Sequence, residues 1–166
     1  AVGASQDSPN EENHCTAGIG PTSDGRRKPE VYTPGCSTQS SQAGTACGTT
    51  GLTGTSMACP AVAGATALIR QYYVDGYYPS GAPNPADAIV PSGALLKATI
   101  VNSAVDMTGI TGYPSNLEGW GSARISDPLF FTGDNRALGV LEDVRNASGF
   151  STGQNTSYNV NVIDST

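Results

Sequence analysis

The sequence predicts an α/β fold, and three features of the chain support this assignment. The first fifty residues are rich in Gly, Pro, Asp, Asn and Ser, with short apolar pieces such as Val31-Tyr32, which indicates brief strands joined by loops. Apolar residues then recur at three- and four-residue steps after Thr55 and again after Ser92, which predicts two helices. Alternating apolar residues near the C-terminus predict antiparallel strands. A chain of 166 residues is long enough for one domain, or for one domain and part of another.

Composition and charge exclude several classes of protein. A net charge of -6 with eight Lys and Arg residues gives no basic surface for nucleic-acid phosphates. The sequence contains no run of about 20 apolar residues, so no membrane-spanning segment is predicted. Low charge content and an even number of cysteines favour a secreted protein. Asn146 and Asn155 begin Asn-x-Ser sequons, which are candidate glycosylation sites in such a protein.

The first predicted helix follows Gly54 and has an apolar pattern that ends at Tyr72-Tyr73. Between the larger apolar residues lie many alanines and one glycine, which suits close packing in a protein interior. We place Pro60 in the first turn, where its missing N–H costs no helical hydrogen bond. The apolar positions of this helix are Met57, Ala58, Val62, Ala65, Leu68 and Ile69.

The second predicted helix begins after a long excursion over residues 75–91, with Ser92 as its N-cap. A different pattern begins near Ala137, so we predict a domain boundary that separates residues 1–136 from residues 137–166. The residues that indicate strands beyond this boundary are Leu138, Val140, Tyr158, Val160 and Val162.

Ser56 stands at the start of the first helix, behind a Gly/Thr-rich loop. Unpaired amides and the positive end of the helix dipole stabilise negative charge there, so the backbone N–H of Ser56 can point at a developing oxyanion. The same pattern also fits a simpler role, in which Ser56 or Thr55 is only the N-cap of the helix.

Residues 54–64, Gly-Thr-Ser-Met-Ala-Cys-Pro-Ala-Val-Ala-Gly, resemble the nucleophile motif of subtilisin-like serine proteases. The segments that lead to this motif, and the Gly119-Trp120-Gly121 turn after it, are similar to the same family in order and spacing. The resemblance implies the C-terminal part of a three-layer fold with a central parallel sheet and a buried serine helix. It also implies that residues 137–166 begin a C-terminal β-sandwich domain. The upstream segments are Gly20-Pro21-Thr22, Asp24-Gly25-Arg26, Lys28-Pro29-Glu30-Val31 and Pro34-Gly35.

By this resemblance, Ser56 is the nucleophile that attacks a peptide carbonyl, and its backbone N–H contributes to the oxyanion hole. The family also needs an Asp, a His and an oxyanion Asn in their own motifs, and the sequence contains none of those motifs. The single histidine, His14, is predicted to be a solvated loop residue. We therefore expect a piece of a secreted serine endopeptidase that is inactive alone. Its partners would be a protein or peptide substrate and the missing N-terminal part of the same protease.

An alternative of another class is a non-catalytic extracellular binding module built on a protease-like scaffold. The missing Asp and His motifs favour this alternative for the polypeptide taken alone. The upstream sequence of the parent protein discriminates between the protease hypothesis and the binding-module hypothesis, because a protease must carry the missing Asp, His and Asn motifs there.

The four cysteines contain no CxxC pair and no neighbouring His at zinc-ligand spacing, so no metal site is predicted. Calcium is suggested only by analogy with the family. Cys36 and Cys47 bracket one short polar loop, and we predict that they form a disulfide. Cys15 and Cys59 are left unassigned.

Overall fold

A five-stranded mixed sheet forms one layer of the molecule in a computed structural model that describes residues 1–160. The order of strands is β2-β1-β3-β7-β6. β1 runs parallel to β3 and β3 runs parallel to β7, while β2 and β6 are antiparallel edge strands. The sheet and the helices on it confirm the predicted α/β class. The strands of this sheet are β1 (Val2–Ser5), β2 (His14–Thr16), β3 (Val31–Pro34), β6 (Ala104–Val105) and β7 (Ser122–Ala123).

A separate antiparallel hairpin, β4 (Thr38–Ser41) and β5 (Thr49–Leu52), connects the sheet to the first helix. Its register runs from the Thr38 and Leu52 pair at the base to the Ser41 and Thr49 pair beside the loop. Most of its residues are polar and exposed. The hairpin therefore lacks the apolar alternation by which a strand is recognised in a sequence.

The first helix, α1 (Thr55–Val74), packs on β1 and β3 through one face. It ends at Val74, one residue beyond the predicted end of its apolar pattern, and both Tyr72 and Tyr73 are buried in the core. The Tyr73 hydroxyl lies 3.1 Å from Thr99 Oγ1, so the polar end of this buried ring has a partner. Leu68, which we expected to be apolar core, is 57% exposed on the opposite face.

Pro60 lies in the second turn of α1, which corrects its expected place in the first turn. The helix begins at Thr55, so an N–H at residue 60 would have bonded to the carbonyl of Ser56. Proline has no such N–H. The start of α1 therefore has one hydrogen bond fewer than an ordinary helix.

The second helix, α2 (Gly93–Asn102), has the predicted N-cap. The Ser92 hydroxyl accepts a hydrogen bond from the Leu95 N–H at 3.0 Å. Asp143 reinforces this end of the helix, because its carboxylate accepts the Ser92 N–H at 2.9 Å. The core between the helices and the sheet consists of Val31, Ile69, Tyr72, Tyr73, Leu95, Ile100 and Leu129.

Residues 137–160 contain a short 3₁₀ helix, Asn146–Ser148, and no strand, which differs from the sequence-based expectation. Leu138 and Val140 pack against the core instead, and the Val140 N–H donates to the Tyr78 hydroxyl at 3.1 Å. Val160 is 72% exposed, and no neighbouring strand lies within these residues to pair with it. Val162 is outside the described residues, and the domain boundary at residue 136 stays a prediction.

Candidate active site

Ser56 is the second residue of α1, and its side chain is exposed. The N-cap of the helix is Gly54, with φ 154° and ψ 168°, a backbone conformation that is essentially restricted to glycine. Neither Ser56 nor Thr55 therefore serves as the cap, so the simpler role considered for these residues does not apply. Within residues 1–160, the Ser56 hydroxyl forms no side-chain hydrogen bond that would hold it in a structural role.

The backbone amide of Ser56 has no hydrogen-bond acceptor inside the helix, because the residue four positions earlier precedes α1. The Gly54 carbonyl accepts from the next two amides, Met57 at 3.0 Å and Ala58 at 3.4 Å. The Ser56 N–H remains at the positive end of the helix dipole, beside the serine hydroxyl of the same residue. An exposed hydroxyl and one amide without a helical acceptor thus lie together at this helix end.

The end of β3 holds the start of α1 in place. The Gly54 N–H donates to the Gly35 carbonyl at 2.8 Å, and the Thr33 hydroxyl donates to the Ala58 carbonyl at 2.9 Å. A side chain at Gly35 would place its Cβ 2.7 Å from the Ala4 Cβ and 2.9 Å from the Gly54 oxygen. This close approach of two backbones requires glycine. In the sequence, Gly35 is recognisable only as part of a motif, and no local pattern marks Thr33.

His14 lies on the opposite face of the sheet from Ser56. Side chains alternate along β3, so Val31 and Thr33 face α1 while Tyr32 faces away from it. The His14 ring packs against that outer Tyr32 ring, with centroids 5.5 Å apart. His14 is exposed, as predicted, but it belongs to strand β2 and not to the predicted loop. The sheet itself therefore separates the single imidazole from the serine.

The model of the subtilase family matches residues 1–121 of this chain. The chain belongs to the subtilase family. It is 36% identical to the serine protease/ABC transporter B family protein tagD of Dictyostelium discoideum, over 90% of this chain and 11% of that protein. It is 33% identical to the serine protease/ABC transporter B family protein tagB of the same organism, over 70% of this chain and 8% of that protein. The subtilase chain thus spans about a tenth of the length of these curated relatives.

One solved structure, the Clostridium perfringens CspB protease, is also similar to the subtilase chain. The two share 25% sequence identity, with a TM-score of 0.46. The match covers 60% of the subtilase chain and 19% of the CspB chain.

The structure corrects the predicted disulfide of this subtilase chain. Cys36 pairs with Cys15, with their Cα atoms 6.4 Å apart, because both lie beside the same end of β1. Cys47 lies in the loop of the β4–β5 hairpin, whereas Cys36 precedes its base. The length of β4, about 13 Å, separates these two ends and exceeds the span of a disulfide. Within the described part of the chain, Cys47 and Cys59 are free and exposed.

Glu118 is a buried acidic residue behind the sheet that the sequence analysis did not single out. Its side chain is 0% exposed and accepts the Met107 N–H at 2.9 Å. Burial and the neighbouring Asp106 carboxyl raise the pKa of Glu118, although the bond from Met107 opposes this shift. Burial, together with the charge of Glu118, raises the pKa of Tyr32 to about 12. Each of these two shifts makes ionisation of the group less favourable than in a solvated side chain.

The two predicted glycosylation sites of the subtilase chain differ in what the structure shows of them. Asn155 is exposed, and the side chain of Asn146 is outside what the structure describes, so glycosylation stays a prediction. Residues 1–160 contain no cluster of three or more His, Cys, Asp or Glu side chains that could hold a metal ion. Neither α1 nor α2, the helices described here, is long and apolar enough to cross a membrane.

Proposed function

We propose that this subtilase chain is the C-terminal part of the catalytic domain of a secreted serine endopeptidase, with Ser56 as its nucleophile. The observation that carries the proposal is the place of Ser56 at the exposed start of α1, next to an amide without a helical acceptor. The Cys15–Cys36 disulfide supports secretion, because such bonds persist in oxidising compartments.

In this reaction the Ser56 oxygen attacks the carbonyl carbon of a peptide bond, and the carbonyl oxygen becomes negatively charged. The Ser56 N–H donates to that oxygen, and the dipole of α1 adds to its stabilisation. A serine hydroxyl near neutral pH needs a base to accept its proton. In the proposed enzyme that base, a His oriented by an Asp, comes from an N-terminal segment outside these 166 residues. The same segment supplies the oxyanion Asn.

The proposal is tested with Ser56→Ala in the full-length protein. Peptide hydrolysis is expected to fall by about 10⁶-fold, and covalent labelling by a fluorophosphonate probe is expected to disappear. Ser23→Ala is the matched control, because Ser23 is an exposed loop serine and its variant should label at the wild-type rate.

Two outcomes would contradict the proposal. Labelling of the Ser56→Ala variant at the wild-type rate would move the nucleophile to another residue. A folded wild-type protein that neither labels nor hydrolyses peptides would favour the alternative, a non-catalytic extracellular binding module on a protease-like scaffold.

A further inference from the structure

Two hydrogen bonds join the start of α1 to strand β3 and to the residue that follows it, one on each side of Ser56 along the chain. The first joins the Gly54 N–H to the Gly35 carbonyl at 2.8 Å. The second joins the Thr33 hydroxyl to the Ala58 carbonyl at 2.9 Å. Ser56 is therefore held between two fixed points, each two residues away along the chain.

The hydroxyl of Thr33 is committed to this bond. Thr33 is 5% exposed and lies on the face of β3 that also carries Val31, a member of the apolar core. A buried hydroxyl without a hydrogen-bond partner destabilises the fold, and the bond to the Ala58 carbonyl satisfies the hydroxyl of Thr33. Because Thr33 is β-branched, few rotamers are open to its side chain. The position of the Thr33 hydroxyl, and with it the hydrogen bond to α1, is consequently restricted.

The start of α1 needs such support from outside the helix. Pro60 removes the N–H that would have bonded to the Ser56 carbonyl, and Gly54 has no side chain to cap the first turn. The carbonyl of Ala58, two residues after Ser56, is the point at which β3 supplies a hydrogen bond. This bond does not replace the missing donor to the Ser56 carbonyl, but it fixes the first turns of α1 to the strand from outside the helix.

We infer that Thr33 is a positioning residue for the Ser56 nucleophile. The inference rests on the function proposed above. Thr33 does not touch the reacting atoms; it fixes the turn of α1 that carries both the Ser56 oxygen and the Ser56 N–H. A displacement of about 1 Å in catalytic geometry costs about 100-fold in rate, so a shift of some tenths of an ångström costs about 10-fold.

The test compares Thr33→Val with Thr99→Val in the full-length protease. Both changes replace a buried threonine by its isostere and remove a hydroxyl that donates to a backbone carbonyl, because Thr99 donates to Leu95 at 2.9 Å within α2. Thr99→Val also removes the partner of the Tyr73 hydroxyl, so this control loses at least as much hydrogen bonding as Thr33→Val. We expect Thr33→Val to lower kcat and the rate of fluorophosphonate labelling by about 10-fold, with KM changed less than about two-fold. Thr99→Val should lose stability but keep the wild-type kcat. Thr33→Ser keeps the hydroxyl and should restore most of the rate.

The outcomes separate this inference from the proposed function. If the wild-type protein labels at Ser56 and Thr33→Val labels equally fast, the positioning role is wrong while the proposed function stands. If the wild-type protein does not label, the proposed function itself fails. Should Thr33→Val not fold, the pair Thr33→Ala and Thr33→Ser replaces it, and equal rates for these two smaller side chains would overturn the inference.

Discussion

Gly54 has the backbone conformation on which the position of Ser56 depends. With φ 154° and ψ 168°, it occupies a region in which an L side chain costs about 1–3 kcal/mol. Gly54→Ala should therefore shift the turn and strongly reduce fluorophosphonate labelling of the full-length protein. Gly93→Ala, where an added Cβ meets no atom within 4 Å, should label like the wild type. Equal labelling of the two variants would show that the conformation of Gly54 is not required.

The Glu118 carboxyl should make the stability of the protein depend on pH. Burial raises its pKa above the ordinary value of 4.5, and Asp106 raises it further, with Tyr32 and Tyr113 as the other titratable neighbours. At pH values between the unfolded and the folded pKa, the folded state binds more protons at this carboxyl than the unfolded chain does. The contribution to stability is fully present below the unfolded pKa and is lost as pH rises through the folded pKa.

Glu118→Gln keeps an acceptor for the Met107 N–H but cannot ionise. We expect this variant to have a higher unfolding temperature than the wild type at neutral pH and a flatter dependence on pH, measured by thermal unfolding from about pH 4 to about pH 8. Glu142→Gln, at an exposed position, is the control and should follow the wild-type curve. A wild-type slope in the Glu118→Gln variant would assign the dependence to other groups.

Single residues differ in how far the sequence alone predicts their roles. Ser56 could be proposed as the nucleophile because its motif is contiguous, from Gly54 to Gly64, and because helix starts have a local signature. The role of Thr33 could not be predicted, since its partner Ala58 lies 25 positions away and only the packing of β3 on α1 brings them together. Glu118 was missed for the same reason. Nothing in its immediate sequence indicates that the sheet and the loop around it exclude water.

At the level of elements, both helices were predicted and the β4–β5 hairpin was not. The predicted N-cap of α2, Ser92, is confirmed, because capping depends on residues within one turn and can be recognised from the local sequence. The hairpin is polar, and its strands are recognised only by their pairing with each other. The wrong disulfide follows from this omission, because a loop can bring Cys36 and Cys47 together but a hairpin holds them at opposite ends.

The Cys15–Cys36 bond is predicted to be a major stabiliser of β2 against the sheet. The bond closes a loop with a sequence separation of 21, which corresponds to about 3 kcal/mol. The double variant Cys15→Ser with Cys36→Ser should lose about this much in urea unfolding, whereas Cys47→Ser at an exposed position should change little. Peptide mapping without reduction should recover Cys15 and Cys36 in one linked product. A product that links Cys36 to Cys47 would contradict the structure.

At the scale of the whole molecule, the described residues cover only one side of α1. Its buried face lies on β1 and β3, while Cys59, Ala63, Gly64, Ala67 and Leu68 are exposed on the other side. Small residues of this kind suit close contact with further backbone. The chain also brings no imidazole to the serine face of the sheet. Both observations support the proposal that further segments of a longer protease complete the domain and its active site.

The 166-residue chain alone is therefore predicted to have no protease activity, even when folded. No imidazole lies on the Ser56 side of the sheet, because the ring of His14, the single histidine, packs on Tyr32 on the other face, and a serine hydroxyl needs a base to take its proton. The purified chain and its Ser56→Ala variant should be equally inert toward a general peptide substrate and a fluorophosphonate probe. Co-expression with the N-terminal remainder of the parent protease should restore labelling in the wild-type chain and not in the variant. Turnover by the isolated chain that is lost in Ser56→Ala would mean that a complete active site exists within these residues.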